Sequence, residues 1–180
     1  AYQPSDPSII ESRLSLISKN FSEMIPIFKT LSNKTKNKPK ISYYETKDAI
    51  WNAYNEVNNY NKAFFVTSLS RVEAFFPESI SNWERGYKNK NNKLESRTLI
   101  PDNKQDIEII KKFKSATDKV DGRVFDKYKD FNIDLAIYDT KISIASFSEQ
   151  PFLLLINSKE LVETLMPFLE LAWSQSKKII

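Results

Sequence analysis

The chain has 180 residues, of which 41% are hydrophobic and 13% aromatic, enough for one globular domain with its own core. It contains no histidine and no cysteine, which excludes disulfides, thiolate chemistry and Ser-His-Asp triads, and argues against a zinc site. The net charge of +4 comes mainly from lysines that are scattered along the chain, a pattern more typical of a solvated surface than of a nucleic-acid-binding face. We therefore expect a protein that is not an enzyme and that holds no cofactor and no metal.

Two further absences bear on the class of protein. Gly86 and Gly122 are the only glycines, which argues against a glycine-rich phosphate loop. The sequence has no run of 18 apolar residues, and its first residues do not resemble a signal peptide. We expect a cytoplasmic protein without membrane contact, and the start at Ala1 suggests a fragment of a longer one.

The first segment carries a heptad pattern of apolar residues, which predicts a helix over residues 5–33. The pattern allows two interpretations: a coiled-coil helix that pairs two subunits, or an amphipathic helix packed on its own domain. Pro26 should kink or interrupt it. A polar, lysine-rich linker follows over residues 34–39. The predicted dimer interface consists of Ile10, Leu14, Ile17, Phe21, Met24, Phe28 and Leu31.

The middle of the chain alternates short strands and helices. Thr46 is placed to cap a helix that runs to about residue 58. A capping box at Ser70–Glu73 predicts a short helix that ends before Pro77, and another at Asp102–Gln105 predicts a longer one. Strands are expected at residues 40–44, 63–67 and 94–100, with a further helix at 79–89.

The last third is rich in strands. Strands are predicted at residues 122–126, 133–138, 141–147 and 152–157, and the Tyr138–Lys141 turn should join two of them as an antiparallel hairpin. Residues 157–160 should cap a final helix, bent at Pro167. This order predicts an α/β fold with a mixed sheet of about seven strands flanked by helices.

Several of these segments, in order, resemble the effector domain of TrmB-type transcriptional regulators. The resemblance covers roughly residues 5–176. The sequence differs from the family at Thr46, where the family has glycine. It also lacks the family's winged helix and C-terminal sugar-binding lobe. The segments that carry the resemblance are Ile41-Ser-Tyr-Tyr-Glu45, Arg97-Thr-Leu-Ile-Pro-Asp102, residues 133–146 and residues 157–173.

The resemblance implies a phospholipase-D-like fold over residues 40–176 that binds a small-molecule effector or stabilises a homodimer. It also implies DNA binding through a winged helix that is absent from this chain. The alternative is a catalytically dead phospholipase-D-like module that acts as a protein-interaction scaffold.

Phospholipase D enzymes use a His-x-Lys-(x)₄-Asp motif, which the hairpin lets us place on this sequence. If Asp139 fills the aspartate position, Asn132 stands where the nucleophilic histidine belongs and Asp134 where the phosphate-binding lysine belongs. Asparagine cannot form a phospho-enzyme, and an acid repels phosphate. The resemblance therefore implies a degenerate site.

Ligand sites in α/β sheets usually lie beyond the carboxyl ends of the strands, which gives a list of candidates. Arg97 stands out because it could clamp an acidic ligand, or else form a salt bridge to Glu45, Asp134 or another acid. A hydrolase that uses Glu45, Asp134 and Asp139 as paired carboxylates is the weakest hypothesis. Trp51, Trp83 and Tyr87 are interpreted as core residues first. The ligand-site candidates are Tyr44, Glu45, Ser68, Arg71, Arg97 and Asp102.

Overall fold

A computed structural model describes Lys19, Glu23 and residues 39–89 and 91–179 of the chain. The chain divides into two units, Ala1–Lys38 and Pro39–Ile180, and the architecture below is that of the second. The heptad residues predicted as the dimer interface, and residues 34–38 of the predicted linker, lie outside the described residues.

The second unit is built on one sheet of eight strands in the order β1-β7-β6-β5-β2-β3-β4-β8. The β2, β3 and β4 strands run parallel, and the other pairings are antiparallel. The predicted mixed α/β fold is therefore confirmed, with the predicted hairpin between β5 and β6. The strands are β1 (Lys40–Tyr44), β2 (Lys62–Val66), β3 (Glu95–Pro101), β4 (Val120–Phe125), β5 (Asp134–Tyr138), β6 (Lys141–Ser146), β7 (Phe152–Asn157) and β8 (Lys177–Lys178).

The eighth strand was not expected. Lys177 and Lys178 extend the chain after the last helix and pair with Val124 and Arg123 at the edge of the sheet. Two lysines in a polar tail give no strand pattern in the sequence, so the pairing is imposed by the neighbouring β4 strand.

Five helices flank the sheet in the described part of the chain, and three of them begin with a side-chain cap, at Thr46, Asn103 and Ser158. The capping box predicted at Ser70–Glu73 does not form, because that helix already begins at Leu69 and has no side-chain cap. Thr46 Oγ1 accepts a hydrogen bond from Ala49 N, as predicted, but the α-helix ends at Tyr54 and continues as a 3₁₀ turn over Asn55–Asn59. The cap of the fourth helix is Asn103 rather than Asp102, with Asn103 Oδ1 accepting from Asp106 N at 2.8 Å. The helices are α1 (Lys47–Tyr54), α2 (Leu69–Phe75), α3 (Ser79–Lys88), α4 (Lys104–Ala116) and α5 (Lys159–Ser174).

Strand alternation divides the core between the two faces of the sheet. Ala63 and Phe65 belong to the face that packs against α1 and its neighbours. Phe64 and Leu99 point the other way and pack with Trp173 of α5. One face therefore carries the α1–α4 layer and the opposite face carries α5. None of the described helices is long and apolar enough to cross a membrane.

Candidate functional site

Most of the predicted ligand residues follow strands that end at the same edge of the sheet. The register places Tyr44 opposite Leu153, and the β5 strand begins there with Asp134 opposite Ala145. The Val66 end of β2 is paired with Leu135, one residue further along β5. This edge therefore gathers the strand ends, loops and helix starts that carry Tyr44, Glu45, Ser68, Arg71 and Asp102.

The polar groups at this edge are largely occupied by one another. Asp106 is fully buried and accepts hydrogen bonds from Ser68 Oγ at 3.0 Å and from Asn103 Nδ2 at 2.9 Å. Its second oxygen accepts from Ser70 N at 2.6 Å, which joins the start of α2 to the start of α4. A buried carboxylate is costly unless it is fully hydrogen-bonded. The Ser68 hydroxyl therefore satisfies Asp106 rather than forming part of a ligand site.

Two more candidates are held in ion pairs on the surface. Arg71 pairs with Asp130 and donates to Asn132 Oδ1 at 3.3 Å, while Lys129 Nζ lies 2.5 Å from Asp102 Oδ2. These groups are partly exposed, and such pairs contribute little to stability. They form a charged border of loops rather than a converging pocket.

Arg97 does not join this edge. It lies within β3 on the face that packs against α5, and its two terminal nitrogens donate to the Glu170 carboxylate at 2.5 and 2.7 Å. Its guanidinium carbon also lies 4.5 Å from the Trp173 ring centroid and 4.9 Å from that of Phe64. Of the two roles considered for Arg97, the structure shows the salt bridge, with Glu170 as the acid.

The residues aligned with the phospholipase D motif do not meet. Asn132 and Asp134 precede and begin β5, whereas Asp139 lies in the turn after it, with a φ of 51°. Four strand steps separate Asp134 from Tyr138, about 13 Å at the usual rise. The same separation keeps Asp139 away from Asp134, so these two cannot act as paired carboxylates in a hydrolase.

A cavity of about 620 Å³ lies elsewhere, between the sheet and the α1, α3 and α4 helices. Its floor includes Phe65 and Thr98, which are register partners on β2 and β3, and its far wall includes Phe113. Asparagines of the 3₁₀ turn and of the loop after α3 contribute most of its polar groups. The lining asparagines include Asn58, Asn59, Asn61, Asn89 and Asn91.

Three aromatic rings form one wall of the cavity. The Trp83 ring is stacked against Trp51, with centroids 6.1 Å apart, and against Tyr54, with centroids 5.7 Å apart. Trp83 Nε1 donates to Asn55 Oδ1 at 2.9 Å, which fixes the indole. These rings are half-buried and border an open space, so the interpretation of Trp51, Trp83 and Tyr87 as ordinary core residues is incomplete.

Beneath this wall lies a buried acid. The Tyr54 hydroxyl donates to Asp134 Oδ2 at 2.7 Å. The pKa of Asp134 is raised to about 7, chiefly by burial and to a smaller extent by the nearby Asp106 carboxylate, while the Thr67 and Tyr54 hydroxyls and the Ser68 N–H act against the shift. Burial also raises the pKa of Tyr54, and the Asp134 carboxylate adds to this effect, so Tyr54 stays neutral.

Thr67 completes the polar group at the base. It lines the cavity and is 2% exposed. Its Oγ1 lies close enough to Asp134 and Tyr54 to lower the pKa of both, but its geometry satisfies no hydrogen bond to a described residue. A buried hydroxyl without a partner is uncommon, because the lost interaction with water is not replaced. The cavity thus has one group at its base that can still bind a ligand.

Sequence reasoning missed this cavity. The available signals were the i,i+3 pair Trp51 and Tyr54, the i,i+4 pair Trp83 and Tyr87, and the asparagine-rich turn that follows the first pair. Aromatic residues at helical spacing indicate a packed core. Only the three-dimensional separation of α1 from α3 shows that these residues border a cavity instead. No group of three or more potential metal ligands is found among the described residues.

The sheet and its helices define a phospholipase-D-like α/β fold, which the comparison with solved structures confirms. A phospholipase D family member, Nuc from Salmonella typhimurium, superposes with a TM-score of 0.56, 10% identity, and coverage of 78% of this chain and 98% of that chain. NucT from Helicobacter pylori has a TM-score of 0.51, 13% identity, and coverage of 78% and 99%. No protein-family model and no curated protein matches the sequence.

A third solved structure is similar over more of the chain. TrmBL2, described as an archaeal chromatin protein with a novel mode of DNA binding, has a TM-score of 0.50 and 13% identity. The match covers 96% of this chain, which spans 66% of the TrmBL2 chain, slightly under two thirds. At these identities the three structures establish the fold alone.

The expectation that the chain is not an enzyme is contradicted by these comparisons. It rested on the missing histidine and cysteine, yet the fold is shared with Nuc, a phospholipase D family member. An identity of 10% does not extend an activity to this chain. Composition therefore does not decide whether the chain is a catalyst.

Proposed function

We propose that this chain is the effector and dimerisation part of a TrmB-like transcriptional regulator, and that it binds a small molecule in the cavity between the sheet, α1 and α3. The observation that carries the proposal is the cavity itself, with its aromatic wall and its buried Thr67 hydroxyl, which makes no hydrogen bond of acceptable geometry to a described residue. Ligand sites in proteins are typically concave, mostly apolar and furnished with a few polar groups, which is the character of this cavity.

The extent of the structural match supports the choice of family. The Nuc and NucT structures each cover 78% of the chain. The TrmBL2 structure covers 96% of it. TrmBL2 is itself described as binding DNA, which favours a DNA-associated role over other uses of the fold.

In this proposal the heptad residues pair two subunits, and a winged helix carried by the same polypeptide reads DNA. Dimerisation would set the spacing of two such heads on two half-sites. A small molecule in the cavity would act by favouring one arrangement of the dimer, which requires that it bind the two arrangements with different affinity.

Sedimentation velocity tests the dimerisation step. The chain is expected to sediment as a dimer at micromolar concentration, and Leu14→Glu, which places a charge in the heptad seam, is expected to yield a monomer. Ser12→Glu adds the same charge at a heptad position away from the seam and should leave the dimer intact. A wild-type monomer would overturn the dimerisation claim.

The regulator role has its own test. The reading frame upstream of Ala1 is expected to encode a winged helix, and the full-length protein should shift a DNA fragment from its own promoter region in an electrophoretic assay. A frame without such a segment, together with no DNA binding, would remove the regulator proposal.

A further inference from the structure

The cavity is lined by apolar side chains at its base and by asparagine side chains at its mouth. This arrangement favours a ligand with one apolar end and one polar end. From it we infer that the cavity binds a neutral molecule with a flat heteroaromatic body and a hydroxylated tail, the chemistry of a nucleoside. The inference rests on the proposed function, since it names the ligand class of the same site.

The described lining of the cavity carries almost no charge. Among the described lining residues Lys93 is the single lysine, arginine or acid, and it is exposed. Tyr54 and Tyr87 stay neutral because burial raises the pKa of both. Asp134 lies behind Tyr54 and is not part of the lining. An ionised ligand would lose its hydration without a buried partner of opposite charge, so a neutral ligand is favoured.

The base of the cavity is apolar and carries one buried hydroxyl. Phe65, Leu69 and Phe113 provide an apolar surface, and the Thr67 hydroxyl is the one lining side-chain group there that is buried and unpartnered in the described chain. A heteroaromatic ring fits this combination, because its faces are apolar while its edge carries nitrogen or oxygen atoms that can pair with one hydroxyl.

The mouth of the cavity is rich in asparagine side chains. Asn58, Asn59 and Asn61 line it with exposed carboxamides. The side chains of Asn59 and Asn61 form no hydrogen bond to another described residue, so within the described chain each can offer both its amide and its carbonyl to a ligand. Carboxamides both donate and accept, which matches vicinal hydroxyl groups.

Two other ligand types fit less well. A monosaccharide would press hydroxyl groups against Phe65, Leu69 and Phe113, where those groups would go unpaired. An alkyl chain would fill the apolar base but would leave Thr67 and the amide mouth without partners. The volume of about 620 Å³ lies within the usual range for a small-molecule site and exceeds what a single ring needs.

Calorimetric titration of the chain with adenosine as the probe tests the inference, with adenosine 5′-monophosphate and glucose as comparisons. Adenosine is expected to bind more tightly than either. Thr67→Val keeps the side-chain shape and removes the hydroxyl, which should weaken adenosine binding roughly tenfold if one hydrogen bond is lost. Ser79→Ala is the matched control, because Ser79 Oγ is also buried and unpartnered but does not line the cavity.

A second variant guards against a folding defect in Thr67→Val. Gly86 lines the cavity, and a Cβ added there meets only Asn92 Nδ2 at 3.9 Å, so Gly86→Leu should fold and abolish binding by filling space. Absence of adenosine binding, tighter binding of glucose, or equal effects of Thr67→Val and Ser79→Ala would overturn the ligand class. A dimeric, DNA-binding protein that binds a different molecule in a Gly86→Leu-sensitive manner would overturn this inference and leave the proposed function standing.

Discussion

The two glycines of the chain should respond to alanine in opposite directions. A Cβ at Gly122, within β4, would lie 2.3 Å from Ile110 Cγ2, which is more than about 1 Å shorter than an ordinary contact. Ile110 is fully buried in α4, within a cluster of other buried apolar residues. Overpacking of this kind lowers the free energy of unfolding by about 1–3 kcal/mol. The smaller conformational entropy of alanine in the unfolded state offsets about 0.4–1 kcal/mol of this loss.

The matched substitution is Gly86→Ala, in the α3 helix, where the added Cβ meets no atom nearer than 3.9 Å. It should stabilise the protein by about 0.5–1 kcal/mol through helix propensity. Urea denaturation followed by circular dichroism gives both values. Ile110→Leu should partly rescue Gly122→Ala, because leucine lacks the offending Cγ2, whereas Ile110→Val keeps it and should not. A Gly122→Ala protein as stable as wild type, or equal rescue by Leu and Val, would refute this packing argument.

The remaining predictions concern Asp134 and Arg97. Because the folded protein holds Asp134 protonated up to about pH 7 while the unfolded chain ionises near pH 4, stability should fall as the pH rises between these values, by at most about 4 kcal/mol. Asp134→Asn should flatten this part of the profile in thermal unfolding and be relatively more stable at pH 8; an unchanged profile would show that Asp134 is not held protonated. Arg97→Ala should leave adenosine binding unchanged, since Arg97 faces α5 and pairs with Glu170, and a loss of binding without loss of structure would contradict the placement of the site.

The sequence allowed the fold to be predicted more fully than the site. Period-2 runs and capping residues such as Thr46 are local signals, so most strands and helices could be placed to within a few residues. The β8 strand escaped prediction because its residues, Lys177 and Lys178, gain strand geometry only from the adjacent β4 edge.

The site escaped prediction for a related reason. Tyr54 and Asp134 are 80 residues apart in the chain and meet through one hydrogen bond across the sheet face. Asp134 attracted attention only as a position of the degenerate phospholipase D motif, and nothing in the sequence links it to Tyr54. Arg97 attracted attention because a lone arginine at the start of an apolar run suggests a ligand clamp, but its partner Glu170 lies 73 positions away on α5.

Composition misled in another way. The absence of histidine and cysteine does exclude particular mechanisms, such as a histidine nucleophile, at any position in this chain. It does not exclude catalysis in general, because carboxylates, hydroxyls and lysines remain. The similarity in fold to a phospholipase D family member shows that a class of protein cannot be dismissed from missing residue types alone.

A crystal structure with a bound probe would show directly whether the cavity is the ligand site. In crystals of the chain grown with adenosine, we expect electron density for adenosine between α1, α3 and the sheet, with a ring atom within hydrogen-bonding distance of Thr67 Oγ1. Adenosine beside Arg97 on the α5 face, at the charged loops around Arg71, or nowhere in the protein would contradict it.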